Sequence, residues 1–213
     1  MSMPERTGNI NVVTIQDVLS DLDLVVGEDI VMGDFDIMGW NLAAKIRPRE
    51  SENYKNCGAL FRPNYERGIL IHALIQKNKL TRVLEIGFGR GYATACSSLA
   101  IYNKGLTGTV ITVDPNHDEK QLNHFNNFIA PTVKSMVNIQ AVKQTSDDFF
   151  KDLDPNARFD LIFIDGDHRY DQVVKDYNNA VKFIDKGYIL MDDYHMPTKN
   201  DLDIDVANFV DSL

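Results

Sequence analysis

Cysteine, tryptophan and clustered basic residues are all scarce in this 213-residue sequence. The two cysteines, Cys57 and Cys96, make neither a disulfide framework nor a metal-ligand spacing, which points to a reduced, cytoplasmic protein. Lys and Arg number 22 against 31 Asp and Glu, without a basic run, so nucleic acid is not an expected partner. No apolar stretch approaches the ~20 residues a membrane span requires. The start, MSMPERTGNI, lacks the apolar core of a signal peptide. Repeats and low-complexity tracts are missing too.

What remains is 44% apolar and 25% charged, the balance of a globular chain long enough to bury a core. The formal charge of −9 is uneven: residues 160–213 hold 12 acids and 5 bases. From about residue 69 onward, β-branched runs alternate with helical patterns. The runs are Arg82–Ile86, Thr109–Val113, Val137–Val142, Leu161–Ile164 and Tyr188–Met191. Helices are expected over Pro63–Gln76, over Tyr170–Ile184 with its apolar positions at three- and four-residue steps, and over Leu202–Val210. Apolar strands alternating with helices predict a doubly wound α/β fold with a mostly parallel sheet. Residues 1–62, including Trp40, read as an N-terminal extension that caps the site or packs on another subunit; 63–213 form the main domain.

The segment Val83-Leu84-Glu85-Ile86-Gly87-Phe88-Gly89-Arg90-Gly91-Tyr92 ends a strand in three alternate glycines and opens a helix. Such a turn lets a ligand approach the backbone beside a helix N-terminus, although glycines alone also make an ordinary turn. A dinucleotide fingerprint would place its last glycine where Tyr92 stands, so a nicotinamide-dependent dehydrogenase fits less well. Asp114 ends the next strand, where an acid can accept hydrogen bonds from a ribose diol.

Two further strands run into acids: Asp165-Gly166-Asp167-His168 and Asp192-Asp193-Tyr194-His195. Doubly wound sheets bind ligands at the carboxyl ends of their strands, so topology brings Asp165, Asp192 and Asp193 together. Three adjacent carboxylates call for a cation, and hard oxygen donors suit Mg²⁺ or another divalent ion; His168 and His195 keep zinc open. Either acid pair alone could be a turn or helix cap. His72, His117 and His124 read as helix-surface or packing residues, and His195 as a loop residue.

Leu84–Gly91 together with Asp114 resembles the S-adenosylmethionine (SAM) site of class I methyltransferases. The resemblance covers roughly residues 65–193. It implies cofactor contacts from Glu85, Gly87, Phe88, Gly89, Gly91, Asp114 and Asp165, with Thr145 and Ser146 flanking the adenine. The Ile-Asp-Gly-Asp-His-x-Tyr and Met-Asp-Asp-Tyr stretches are similar to metal-dependent small-molecule O-methyltransferases of the macrolide-sugar and natural-product branch. That likeness makes Asp165, Asp192 and Asp193 the metal ligands and either Asp167 or His168 the base. Catechol- and caffeoyl-type relatives usually carry Asn where Asp193 stands. The implied reaction methylates a hydroxyl of a small acceptor such as a sugar, polyketide or phenol. A metal-independent methyltransferase and a non-catalytic SAM-binding protein are the alternatives. Two strands that normally end this fold are not legible before Leu213, so either the sequence is a fragment or those strands are absent or replaced, for instance by the N-terminal segment. An open sheet edge would need a cover, and a homodimer is expected on that ground.

Overall fold

A computed structural model of the chain describes residues 65–194 and 205–213; the extension at 1–62, Trp40 and His195 lie outside them. Five parallel strands form one sheet in the order β3-β2-β1-β4-β5. They are β1 (Arg82–Ile86), β2 (Gly108–Val113), β3 (Val137–Val142), β4 (Phe159–Ile164) and β5 (Ile184–Met191). The chain winds outward from β1 to β3, then crosses back to place β4 on the other side of β1. That reversal is the crevice where doubly wound sheets bind ligands.

Helices α1 (Tyr65–Asn78) and α2 (Tyr92–Asn103) cover one face of the sheet. The short α3 (Glu119–Phe128) and α4 (Pro131–Lys134) close its β2–β3 end, contributing Phe125, Ile129 and Val133 to that core. On the opposite face lie α5 (Ser146–Asp152), α6 (Tyr170–Ala180) and α7 (Val206–Val210), packed on Leu84, Ile86, Ile162 and Ile164. Helix α3 starts where Asp118 and Gln121 exchange side-chain and backbone hydrogen bonds, at 2.7 and 3.0 Å, satisfying two otherwise orphaned donors. The Phe209 ring of α7 meets the Tyr177 ring of α6 edge-on at 5.1 Å.

Three boundaries differ from the sequence expectation. Helix α6 ends at Ala180 and tightens into a 3₁₀ turn over Val181–Phe183, because Ile184 already pairs with Phe159 as the start of β5. The first half of β5 lies at the sheet edge, where polar Asp185 and Lys186 are tolerated, so apolar pattern alone starts the strand too late. Strand β4 begins at Phe159 because Asp160, polar within the run, is used. Its carboxylate accepts from the Thr81 and Arg82 backbone N–H groups at 2.9 and 3.0 Å and pairs with the Arg82 guanidinium at 2.6 Å. This clamp fixes β1 against β4 at the end away from the glycine loop.

Helix α1 seats closely on α2 at Gly68. A Cβ there would lie 2.3 Å from the Tyr92 hydroxyl oxygen and 3.2 Å from the Cys96 sulfur. Gly68→Ala should therefore lower the melting temperature by about 3–10 °C, the effect of about 1–3 kcal/mol of overpacking. Thermal unfolding followed by circular dichroism checks it.

Candidate active site

Register places the site. Ile86 lies opposite both Val113 and Ile164, and Ile164 lies opposite Met191. The ladder continues one rung further: Gly87 N donates to Val113 O, Asp165 N to Ile86 O and Asp192 N to Ile164 O, at 2.8, 2.8 and 3.0 Å. Asp114, Gly87, Asp165 and Asp192 thus stand side by side along the carboxyl edge. Side chains two residues apart share a face, so Glu85, Asp165 and Asp192 join Val83, Phe163 and Leu190 on the face covered by α1.

The glycine loop has the shape the sequence implied. Gly87, Gly89 and Gly91 all have positive φ, at 97°, 51° and 81°. A Cβ on Gly87 would fall 2.0 Å from the Asp165 carbonyl oxygen, whereas one on Gly89 would meet nothing within 4 Å. Gly87 thus serves strand packing, and Gly89 borders open space. Phe88 is buried edge-on against Phe125 and His117, so its ring belongs to the core. His117 lies in the turn before α3 and is buried, as is His72, whose ionisation burial lowers to about 4. No side chain caps the first turn of α2, which follows Gly91.

Asp114 accepts from the Phe88 and Gly89 N–H groups through Oδ2, at 3.1 and 3.2 Å, and from Asn116 N through Oδ1 at 2.7 Å. It ties the glycine loop to the end of β2. Thr145 caps α5, its Oγ1 accepting from Asp148 N at 3.2 Å. Ser146 Oγ accepts from Gln172 Nε2 at 3.2 Å, and the same amide reaches the fully buried Asp176 at 3.1 Å. Gln172 and Asp176 escaped the sequence reading; they carry the α5 start on α6.

Glu85 is buried under the loop and accepts from the equally buried Thr94 hydroxyl. Burial raises its carboxyl to about 8, although Thr94 and the charge of Arg67 pull it down. Asp165 is also pushed up, by burial first, with Arg67 opposing and Asp192 adding to the rise.

Asp192, Asp193 and His168 divide into two groups around Asp165. On one side the Arg67 guanidinium of α1 contacts both Asp165 and Asp192 and lies over the Phe163 ring, 5.5 Å from its centroid. On the other side ligand atoms of Asp165, His168 and Asp193 all fall within 4.8 Å of one another. His168 Nε2 stands 3.2 Å from Asp193 Oδ2. The expected trio of Asp165, Asp192 and Asp193 is therefore split, with Asp192 turned to Arg67 and His168 in its place. Asp193 has φ 60°, a left-handed turn that sends its carboxylate away from that of Asp192. Asp167 faces outward, held by Arg169, whose guanidinium and N–H keep its carboxyl below the usual range. The sequence did carry a signal for Arg67: it shares a helical stripe with buried Leu70, Ile71 and Leu74.

The fold and the row of acids and glycines at the switch point define the class I methyltransferase architecture. A family model described as a methyltransferase domain matches residues 84–194, just over half the chain, and the chain belongs to that family. It is 39% identical over 127 residues to an uncharacterized protein of Acanthamoeba polyphaga mimivirus, covering 56% of this chain and 53% of the other. The chain thus spans about half the length of that curated relative. Among solved structures, cofactor-bound Rv0187 from MTB superposes with a TM-score of 0.61 and 21% identity, covering 95% of this chain and 85% of its own. The O-methyltransferase from Bacillus cereus with S-adenosylhomocysteine gives 0.59 and 18%, covering 93% and 86%. TomG, an O-methyltransferase from Streptomyces achromogenes involved in tomaymycin synthesis and bound to SAM, gives 0.57 and 18%, covering 92% and 82%. At these identities the likeness is one of fold. Among the described residues, no helix is long and apolar enough to cross a membrane.

Glu85 provides a test of the site's electrostatics. Between its unfolded value near 4.3 and about 8, the folded chain keeps a proton that the unfolded chain releases, so stability falls as pH rises through that window. Glu85→Gln removes this contribution, and the melting-temperature gap between pH 5 and pH 8 should narrow by about 3 °C or more. An unchanged gap would mean that Glu85 is ionised in the folded protein.

Proposed function

We propose that this protein methylates a hydroxyl of a small molecule, with SAM as methyl donor. The observation that carries the reading is the His168–Asp193 pair, 3.2 Å apart, beside a glycine loop at the sheet's switch point. SAM, when bound, supplies a methyl group on a sulfonium and leaves as S-adenosylhomocysteine. Its amino-acid end would lie over Gly87, Gly89 and the uncapped start of α2, near Glu85. The ribose would reach Asp114, and the adenine would lie near Thr145 and Ser146. A site lined by acids suits this cationic donor better than it suits a triphosphate.

His168 is the base in this reading. Asp193 holds the imidazole through Nε2–H, which leaves Nδ1 to take the acceptor's hydroxyl proton as the oxygen attacks the methyl carbon and the carbon–sulfur bond breaks; such assistance is worth about 10²–10⁴-fold. Asp167, ion-paired with Arg169 at the surface, is the weaker candidate. The carboxylates of Asp165 and Asp193 fit a divalent cation, Mg²⁺ by their oxygen donors, which typically binds one or two protein carboxylates. Bound there, the cation would lower the pKa of an acceptor hydroxyl.

His168→Gln should lower methyl transfer from labelled SAM, across a panel of catechol and sugar acceptors, by about 10²–10⁴-fold. Calorimetric affinities for S-adenosylhomocysteine and Mn²⁺ should hold, and Asp167→Asn should cost less than about threefold. Loss of Mn²⁺ affinity with His168→Gln would make the imidazole a ligand instead of the base. Binding of NADH in place of S-adenosylhomocysteine would make the protein a dehydrogenase. Transfer that survives both EDTA and Asp165→Ala would make it a metal-independent enzyme.

A further inference from the structure

Arg67 is the one cation placed inside the carboxylate cluster among the described residues, and nothing in the proposed methyl transfer uses it. Three constraints fix it there. Gly68 lets α1 press onto α2, which fixes the helix that carries Arg67. Phe163 underlies the guanidinium and denies it a downward path. Asp165 and Asp192, one rung beyond β4 and β5, receive it together.

A guanidinium held this way fills the position that a metal bridging Asp165 and Asp192 would need. Arg cannot lose its proton at ordinary pH, so the position stays cationic whether or not a metal is present. Like charges a few ångströms apart repel, so a divalent ion is directed to the far side of Asp165. There the geometry offers Asp193 as the second carboxylate, with His168 beside it.

We infer that Arg67 is a positioning residue of the methyl-transfer site: an internal cation that occupies the Asp165–Asp192 side, keeps Asp192 out of the ligand set and confines a divalent metal to Asp165 and Asp193. The inference rests on the metal part of the function proposed above and deepens it. It also gives the two adjacent acids after β5 different tasks, one facing the protein's own cation and the other an external one.

The test titrates Mn²⁺ alone into the full chain, by calorimetry and by the loss of free Mn²⁺ signal in electron paramagnetic resonance. In the unsubstituted protein, Asp165→Asn and Asp193→Asn should weaken Mn²⁺ binding at least about tenfold, while Asp192→Asn should change it by less than about threefold. Arg67→Met, which keeps the length and removes the charge, should tighten binding by about tenfold or more. In that background Asp192→Asn should now weaken it, because the released carboxylate has joined the ligands. Arg67→Lys serves as the companion variant if the methionine protein misfolds. Its single point charge cannot span both carboxylates, and tightening by less than tenfold is expected. Asp192→Asn alone weakening Mn²⁺ as much as Asp193→Asn overturns the inference while leaving the metal reading intact. So does an Arg67→Met affinity that is unchanged or weaker. Absence of Mn²⁺ binding in every variant, Arg67→Met included, overturns the metal reading itself and the inference with it.

Discussion

The site depends on β1 and β4 lying side by side in register, Ile86 opposite Ile164. These strands are separated in sequence by three crossovers and two other strands, so only backbone pairing and packing hold their ends level. Asp160 fastens one end through Thr81 and Arg82. At the other end Gly87 has no side chain, and the Asp165 carbonyl comes to within 2.0 Å of where one would begin. A slip by one rung would turn Asp165 onto the α5–α6 face, among Ile86, Ile162 and Ile164.

Register also explains why the charge is concentrated. Parallel strands that end together deliver the residues after them to one line, and here those residues are mostly acids. Glu85, Asp165 and Asp192 then share a face that α1 covers; burial favours the protonated forms of Glu85 and Asp165, and the charge of Asp192 adds to the rise at Asp165. Arg67 offsets part of that repulsion. A buried charge group of this kind is seldom the most stable filling for its space, since apolar residues of similar volume often serve as well or better. Its presence beside an open glycine loop is therefore better explained by what it binds than by what it stabilises.

Much of this architecture was legible because two periods dominate the sequence. Val83–Ile86, broken only by Glu85, and Leu161–Ile164 are apolar runs of the kind a strand covered on both faces tolerates, and the glycine loop marks the first of them. The edge half of β5 was not legible, since exposure removes the apolar signature from Asp185 to Gly187. The carboxylate cluster was visible as composition, but its partition was not. Strand-end acids tell which rung they follow, whereas Arg67 arrives from a helix nearly a hundred residues earlier in the chain. The choice between Asp167 and His168 likewise depended on Arg169, which takes Asp167 to the surface and leaves His168 facing the cluster.

Asp192 and Asp193 show how a single backbone residue can decide a site's chemistry. Strict alternation would put neighbouring side chains on opposite faces of the sheet, and one of the two acids would then leave the edge. Asp192, just past the end of β5, keeps the ladder bond to Ile164, and its carboxylate meets Arg67 of α1. Asp193 instead turns left-handed and swings its carboxylate to His168. Asp and Asn are the side chains that enter this region at least cost apart from glycine, because their short polar groups can hydrogen-bond locally. Exchange between them at this position would keep the turn and change only the charge presented to the imidazole.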